Sequence, residues 1–250
     1  MSRLNELLEQ ADYLKKKMDG YRDWDKKAIQ DALSVEYTYD SNRIEGNTLT
    51  LRETDLVIHK GLTISGKPLA EHLEAINHYE AVEMIRDLAQ QKIAFSKSTL
   101  LTLHALILRG IDKENAGKFR SVPVMISGSQ HTPPQPWHID KLMEDYFVFY
   151  QENKITLHPV TLAAELHERL VTIHPFIDGN GRTARLVMNL LLLQYGYPIA
   201  IIQGNTESRL AYYAALEKCN LENEKEEFHA LIAMAVIHSQ QRLLKLVEKK

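Results

Sequence analysis

Leu4, Leu7, Leu8, Ala11, Leu14 and Met18 recur at the i, i+3, i+4, i+7 spacing that lines one face of an α-helix. That period returns through most of the 250 residues and constrains the fold more than any other feature. Each apolar stripe has to be buried against another, so the chain reads as stacked helices. Local signals mark where each helix stops. The first ends near Gly20; a second runs over about 25–46, with Gly46 as its C-terminal stop. Thr50 and Glu53 have capping-box spacing and open a third helix, closed by Gly61. Pro68 suits the first turn of a long helix to about Gln91, and Ser96 or Ser98 caps another that stops at Gly110. Helical patterns resume over 139–152, 160–173, 183–195, 208–218 and 226–247. The exception lies between Gly110 and Trp137. There Val122, Val124 and Ile126 alternate with Pro123 and Met125 before Gly128, Pro133, Pro134 and Pro136, which predicts a strand or small β-hairpin. The expected class is therefore all-α with one β excursion.

Composition excludes several functions. A hydrophobic fraction of 44% and a charged fraction of 25% are those of an ordinary folded protein. The longest apolar stretch, 186–202, is interrupted by Asn189, Gln194, Gly196 and Pro198, so no membrane span is expected. Residues 1–10 lack the apolar core of a secretory signal, and the expected location is cytoplasmic. Cys219 is the sole cysteine, which rules out an internal disulfide and a thiolate zinc cage. A net charge of −3 supplies no global field for nucleic acid.

Chemistry concentrates in His174-Pro175-Phe176-Ile177-Asp178-Gly179-Asn180-Gly181-Arg182-Thr183-Ala184-Arg185. Pro175 disfavours helix at His174, and the glycines around Asn180 let the backbone turn and expose its N–H groups. A helix begins at once, so those N–H groups and its positive dipole end converge on one spot. Arg182 and Arg185, three apart, share a face and add charge for a polyphosphate. Asp178 is a hard carboxylate able to hold Mg²⁺ against phosphates, and His174, at the opposite lip, is placed as a general base. An Asn-Gly turn, a His before Pro or two helical arginines are each commonplace; their conjunction in one short segment is not.

This segment resembles the signature His-x-Phe-x-(Asp/Glu)-Gly-Asn-Gly-Arg-x-x-Arg of the Fic (Fido) family at every defined position. The resemblance implies a Fic-type helical core at 91–250 behind an N-terminal helical region, 1–90, and an enzyme that moves AMP from ATP onto a Ser, Thr or Tyr hydroxyl of a target protein. His174 would deprotonate the target, Phe176 anchor the loop, and Asp178 ligate Mg²⁺. Gly179, Asn180 and Gly181 would form the anion hole, Arg182 act on the transferring phosphates, and Arg185 hold the γ-phosphate. Thr183 and Ala184 fall within the same nucleotide-binding stretch. The expected hairpin would be the family's flap, which docks the target by strand addition, its backbone at Val124, Met125, Ile126 and Ser127 near the nucleotide. Arg209-Leu210-Ala211-Tyr212-Tyr213 and Asn220 look like the adenosine pocket, with Tyr212 over the base and Asn220 bonded to it. Family habit adds self-association. Leu157-His158-Pro159 also recurs in the family, with His158 structural; the remaining helical histidines, His104 and His167 among them, have no partner spacing and read as structural.

Ser41-Asn42-Arg43-Ile44-Glu45-Gly46 resembles the family's inhibitory pattern, Ser/Thr-x-x-x-Glu-Gly/Asn. The resemblance implies that Glu45 pairs with Arg185 and takes the γ-phosphate's place, with Ser41 one turn earlier steadying that carboxylate. Other readings are removal of AMP from a target, transfer of another phosphate-containing group, or a non-enzymatic nucleotide sensor.

Overall fold

A computed structural model of the chain describes residues 2–21 and 27–248, and among these the regular structure is helical, with no strand. The helices are α1 (Arg3–Asp19), α2 (Lys27–Ile44), α3 (Leu51–Lys60), α4 (Leu69–Gln90), α5 (Lys97–Ile107), α6 (Ile139–Asn153), α7 (Pro159–Ile173), α8 (Asn180–Gln194), α9 (Thr206–Glu222) and α10 (Glu226–Glu248). A 3₁₀ turn at Pro136–His138 leads into α6. None of the described helices is long and apolar enough to cross a membrane.

The caps act as their residue types dictate. Thr50 and Glu53 close a reciprocal capping box at α3, and Gly61 ends that helix in the left-handed conformation that only glycine adopts freely. Ser96 caps α5. His158 caps α7 through Nδ1, which accepts from Val160 N, and its Nε2 reaches Asp12. Helix α8 begins at Asn180, three residues before the sequence pattern suggests, because the Gly179 turn already sets the helical direction. The expected start of the second helix near Asp25 lies outside the described residues.

Helix α8 is the axle. Leu186, Val187, Met188, Leu190, Leu191 and Leu192 are fully buried, and α7, α4, α5 and α2 pack around it. Its mid-helix amide, Asn189, exchanges two hydrogen bonds with Ala200, at 3.1 and 2.7 Å, and so pins the chain leaving the helix. Helix α10 covers α7 and α9 and closes on α1. The core thereby holds both ends of the His174–Arg185 segment rigidly.

The expected β-hairpin is not formed: residues 118–135 contain no strand. Pro123, Pro133 and Pro134 cannot donate to a ladder, and no second strand lies opposite. The side-chain alternation survives only over 124–127, since Val124 and Ile126 are half-buried whereas Met125 and Ser127 are exposed; Val122, expected to turn inward with them, is exposed as well. Arg120 replaces the ladder. Its side chain donates to Val122 O at 2.9 Å, Pro134 O at 2.6 Å and His174 O at 2.8 Å, tying both ends of the loop to the histidine.

Candidate active site

His174 closes α7 with φ 51° and ψ 57°, a left-handed conformation costly for a residue with a Cβ. Three bonds hold it there. Its N–H donates to Leu170 O, its carbonyl accepts from Arg120, and Nδ1 lies 3.2 Å from Val171 O. A carbonyl only accepts, so Nδ1 carries the proton and Nε2 keeps its lone pair. Burial lowers the His174 pKa, the Val171 bond partly opposes this, and Arg120 adds to the lowering. The imidazole is therefore neutral at pH 7 with a free acceptor, the state a general base requires.

Phe176 is fully buried and stacks on His104, with ring centroids 3.6 Å apart and 8° between planes. His104 braces the loop from beneath: Nδ1 accepts from Gly117 N and Nε2 donates to Asp178 O, both at 2.9 Å. This fixes a neutral tautomer, and burial pushes its pKa down to about 4. The loop is closed by Asn180, whose amide exchanges bonds with Phe176 N and O at 3.0 and 2.9 Å. Gly179 takes φ 77° and caps α8 without a side chain, so the first N–H groups of α8 stay open to an anion. Thr183 and Ala184 face the core, and the Thr183 N–H is used by Gly179 O.

Both motif arginines are buried, at 2% and 1% exposure for Arg182 and Arg185. Arg182 lies between two carboxylates, Glu74 at 3.2 Å and Asp178 at 3.0 Å. Glu74 in turn accepts from Asn47 at 2.8 Å. Arg185 reaches Ser41 Oγ at 3.0 Å, Ser41 O at 2.9 Å, Tyr212 Oη at 3.4 Å and Glu45 Oε1 at 2.7 Å. Ser41 thus holds the arginine, not the carboxylate. Burial alone would lower the Arg185 pKa, but Glu45 overrides it and the pKa rises.

The Glu45 carboxylate lies against the first turn of α8. A Cβ on Gly181 would fall 2.3 Å from Glu45 Oε1 and 3.1 Å from Arg185 Nη1. Glycine at 181 is what lets an acidic group approach that backbone. Tyr213 donates to Ile44 O at 3.0 Å, and Gly204 N to Asp40 at 2.8 Å, so the end of α2 is anchored on two sides. A bidentate Arg242–Glu36 pair, at 2.6 and 2.7 Å, ties α2 to α10.

Tyr212 is 1% exposed. Its hydroxyl bridges Arg185 and His167, so in this structure it is a strut behind the arginine. Asn220, half-buried, meets Thr172 Oγ1 at 2.5 Å. The Asp178 carboxylate is 61% exposed, and among the described residues no trio of His, Cys, Asp or Glu converges on a metal. That suits Mg²⁺, which takes one or two carboxylates and leaves its other positions to phosphate and water.

His104, Arg120 and Glu74 carry the site without having been legible as functional. His104 finds its partners 13 and 74 residues away, Arg120 reaches across 54, and only the assembled fold brings them together.

The buried histidines predict an acid-labile fold. Burial pushes His104 down to about 4 and His167 to about 3, and drives His78 well below its ordinary value. Their folded pKa values lie under the unfolded one near 6.5, so their stability is complete above 6.5 and is lost as pH falls toward 4 and 3. Asp40, pushed up to about 6 by burial, runs oppositely between 3.8 and 6. Three groups outweigh one, and the urea midpoint is expected to fall from pH 7 to pH 5, with a loss on the order of a few kcal/mol by pH 4.

Comparison with known proteins agrees with this geometry. The Fic/DOC family model matches residues 94–192. The protein adenylyltransferase Fic of Drosophila yakuba is 40% identical over 186 residues, 74% of this chain and 37% of that protein; the Drosophila melanogaster protein of that name is 39% identical over the same span. The chain thus spans little more than a third of the curated relatives it matches. A Fic domain containing signaling protein from Bacteroides thetaiotaomicron superposes with a TM-score of 0.83 at 30% identity, covering 100% of this chain and 98% of that one. A variant of Fic-1 from C. elegans gives 0.85 at 30% identity, covering 96% and 72%. With the signature loop, its open helix terminus and its paired arginines all built as described, the chain belongs to the Fic/DOC family.

Proposed function

We propose that the chain is an Mg²⁺-dependent protein adenylyltransferase restrained by Glu45. A target Ser, Thr or Tyr hydroxyl attacks the α-phosphorus of ATP, the oxygen–phosphorus bond to the leaving pyrophosphate breaks, and the hydroxyl proton passes to His174 Nε2. The open N–H groups of α8 and the Arg182 guanidinium take the phosphate charge, and Arg185 takes the γ-phosphate once Glu45 leaves. Asp178 would hold Mg²⁺, which when bound would supply neutralisation of phosphate charge. The exposed loop at Val124–Ser127 meets the target, with Met125 at 92% exposure as its apolar contact. The reading rests chiefly on the 2.7 Å Arg185–Glu45 pair over Gly181, an acidic side chain lying where a phosphate would bind.

The test is incubation of the Glu45→Gly protein with Mg²⁺ and ATP labelled at either the α- or the γ-phosphorus, alone and with a cell lysate. Label from the α-position on protein, absent with γ-labelled ATP, is the expected result. Transfer of γ-label only would mean phosphorylation, and no transfer despite ATP binding would sink the transferase reading.

A further inference from the structure

Thr172 stands two residues before His174, and its hydroxyl carries one proton. Two acceptors face that proton, Asn220 Oδ1 at 2.5 Å and Glu168 Oε1 at 3.0 Å. It serves one of them. Glu168 has the stronger claim, because hydrogen bonds to an ionised acceptor are roughly twice as strong as neutral ones. It is also 4% exposed, so an oxygen left without a donor is costly. The carboxylate does not turn away, since Lys225 Nζ holds its other oxygen at 2.9 Å. Thr172 is fixed too: its carbonyl accepts from His131 Nε2 at 2.9 Å.

The two ends of an amide have the same shape, and their orientation follows from their partners. We infer that Glu168 takes the Thr172 proton, and that the Asn220 amide turns so its NH₂ donates to Thr172 Oγ1. Its carbonyl oxygen and one remaining N–H then face outward. Oxygen plus N–H matches adenine, which offers a donor at N6 and an acceptor at N7. The reverse orientation presents only donors, matching the O6 and N7 acceptors of a 6-oxo purine. Glu168, without touching the nucleotide, thereby acts through Thr172 as the residue that selects a 6-amino over a 6-oxo purine. This inference rests on the reading above in which Asn220 meets the base.

Glu168→Gln reverses the relay. The new carbonyl stays with the Lys225 cation, and the new NH₂ faces Thr172 and donates to it. Thr172 must then give its proton to Asn220 Oδ1, and the amide turns back. The experiment measures Kd calorimetrically for Mg²⁺-ATP and Mg²⁺-ITP, whose base is a 6-oxo purine lacking the 2-amino group, in a Glu45→Gly background. The parent is expected to favour ATP by about tenfold or more, and Glu168→Gln to shrink that ratio by about tenfold. Thr172→Val, with no proton to pass on, brings the ratio toward one, and Thr172→Ser restores it. The proposal is overturned if Glu168→Gln and Thr172→Val both keep the parental ratio while Asn220→Ala loses it, an outcome that leaves the base contact standing. If Asn220→Ala changes neither Kd, the base contact itself fails and the inference fails with it. Cooperative thermal unfolding of each variant separates loss of selectivity from loss of fold.

Discussion

Glu45→Gly is expected to raise AMP incorporation roughly 10–100-fold over the unaltered protein. A hydrogen bond to a charged group is worth about 1.5–3 kcal/mol, and each 1.4 kcal/mol is about tenfold. The Glu45–Arg185 bond meets that description, with the guanidinium 1% and the carboxylate 34% exposed. A γ-phosphate competing for Arg185 must first displace the carboxylate, and it meets no such competition in the variant. Folding pays a smaller cost: Arg185 keeps Ser41 and Tyr212, and the vacated space admits water, so the loss is about 1–2 kcal/mol. Two measurements check this together, α-label incorporation and denaturant midpoints with and without ATP. ATP should stabilise the variant more than the parent, since ligand stabilisation grows with affinity. A variant that is destabilised but no more active would show that Glu45 merely fastens the end of α2.

Much of this fold is written locally, and the parts that are not share a physical reason. Helix boundaries follow from residues within one turn of each other, as at the Thr50–Glu53 box and the Gly61 cap. The internal bonds of the loop from His174 to Arg185 are equally local, joining Phe176 to Asn180 and Asp178 to Gly179 and Arg182, whereas its braces from His104 and Arg120 are not. The flap failed for the converse reason. Alternation at Val124 and Ile126 sets which side chains turn inward, while Val122 stays exposed, but a ladder needs a second strand, and that is a property of another segment. Arg120 supplies the closure instead, from outside the alternating run. Ser41 shows the limit of reasoning along one helix: it stands a turn before Glu45, yet its oxygen atoms meet a guanidinium 144 residues away. The Glu74–Asn47 bond, joining Arg182 to the segment just after Glu45, was hidden in the same way.

His174→Ala in the Glu45→Gly background is expected to reduce AMP transfer by about 10²–10⁴-fold while ATP binding persists. The side chain is partly buried, ends a helix and, among the described residues, bonds to Val171 through Nδ1, so its removal leaves the phosphate cradle of α8 intact. The pH profile distinguishes a base from a positioning group. Burial holds the His174 pKa below 6.5, and the base acts only when neutral. Transfer should therefore rise with pH through a midpoint below 6.5 and be flat by pH 7. The Glu45 carboxylate raises the His174 pKa, so removing it should move that midpoint further toward acid in Glu45→Gly. Arg120 pulls the other way, and Arg120→Met should shift the acid limb upward, although it also frees both ends of the Val122–Pro134 loop. An acid limb that stays in place through both substitutions would assign the titration to a group other than His174.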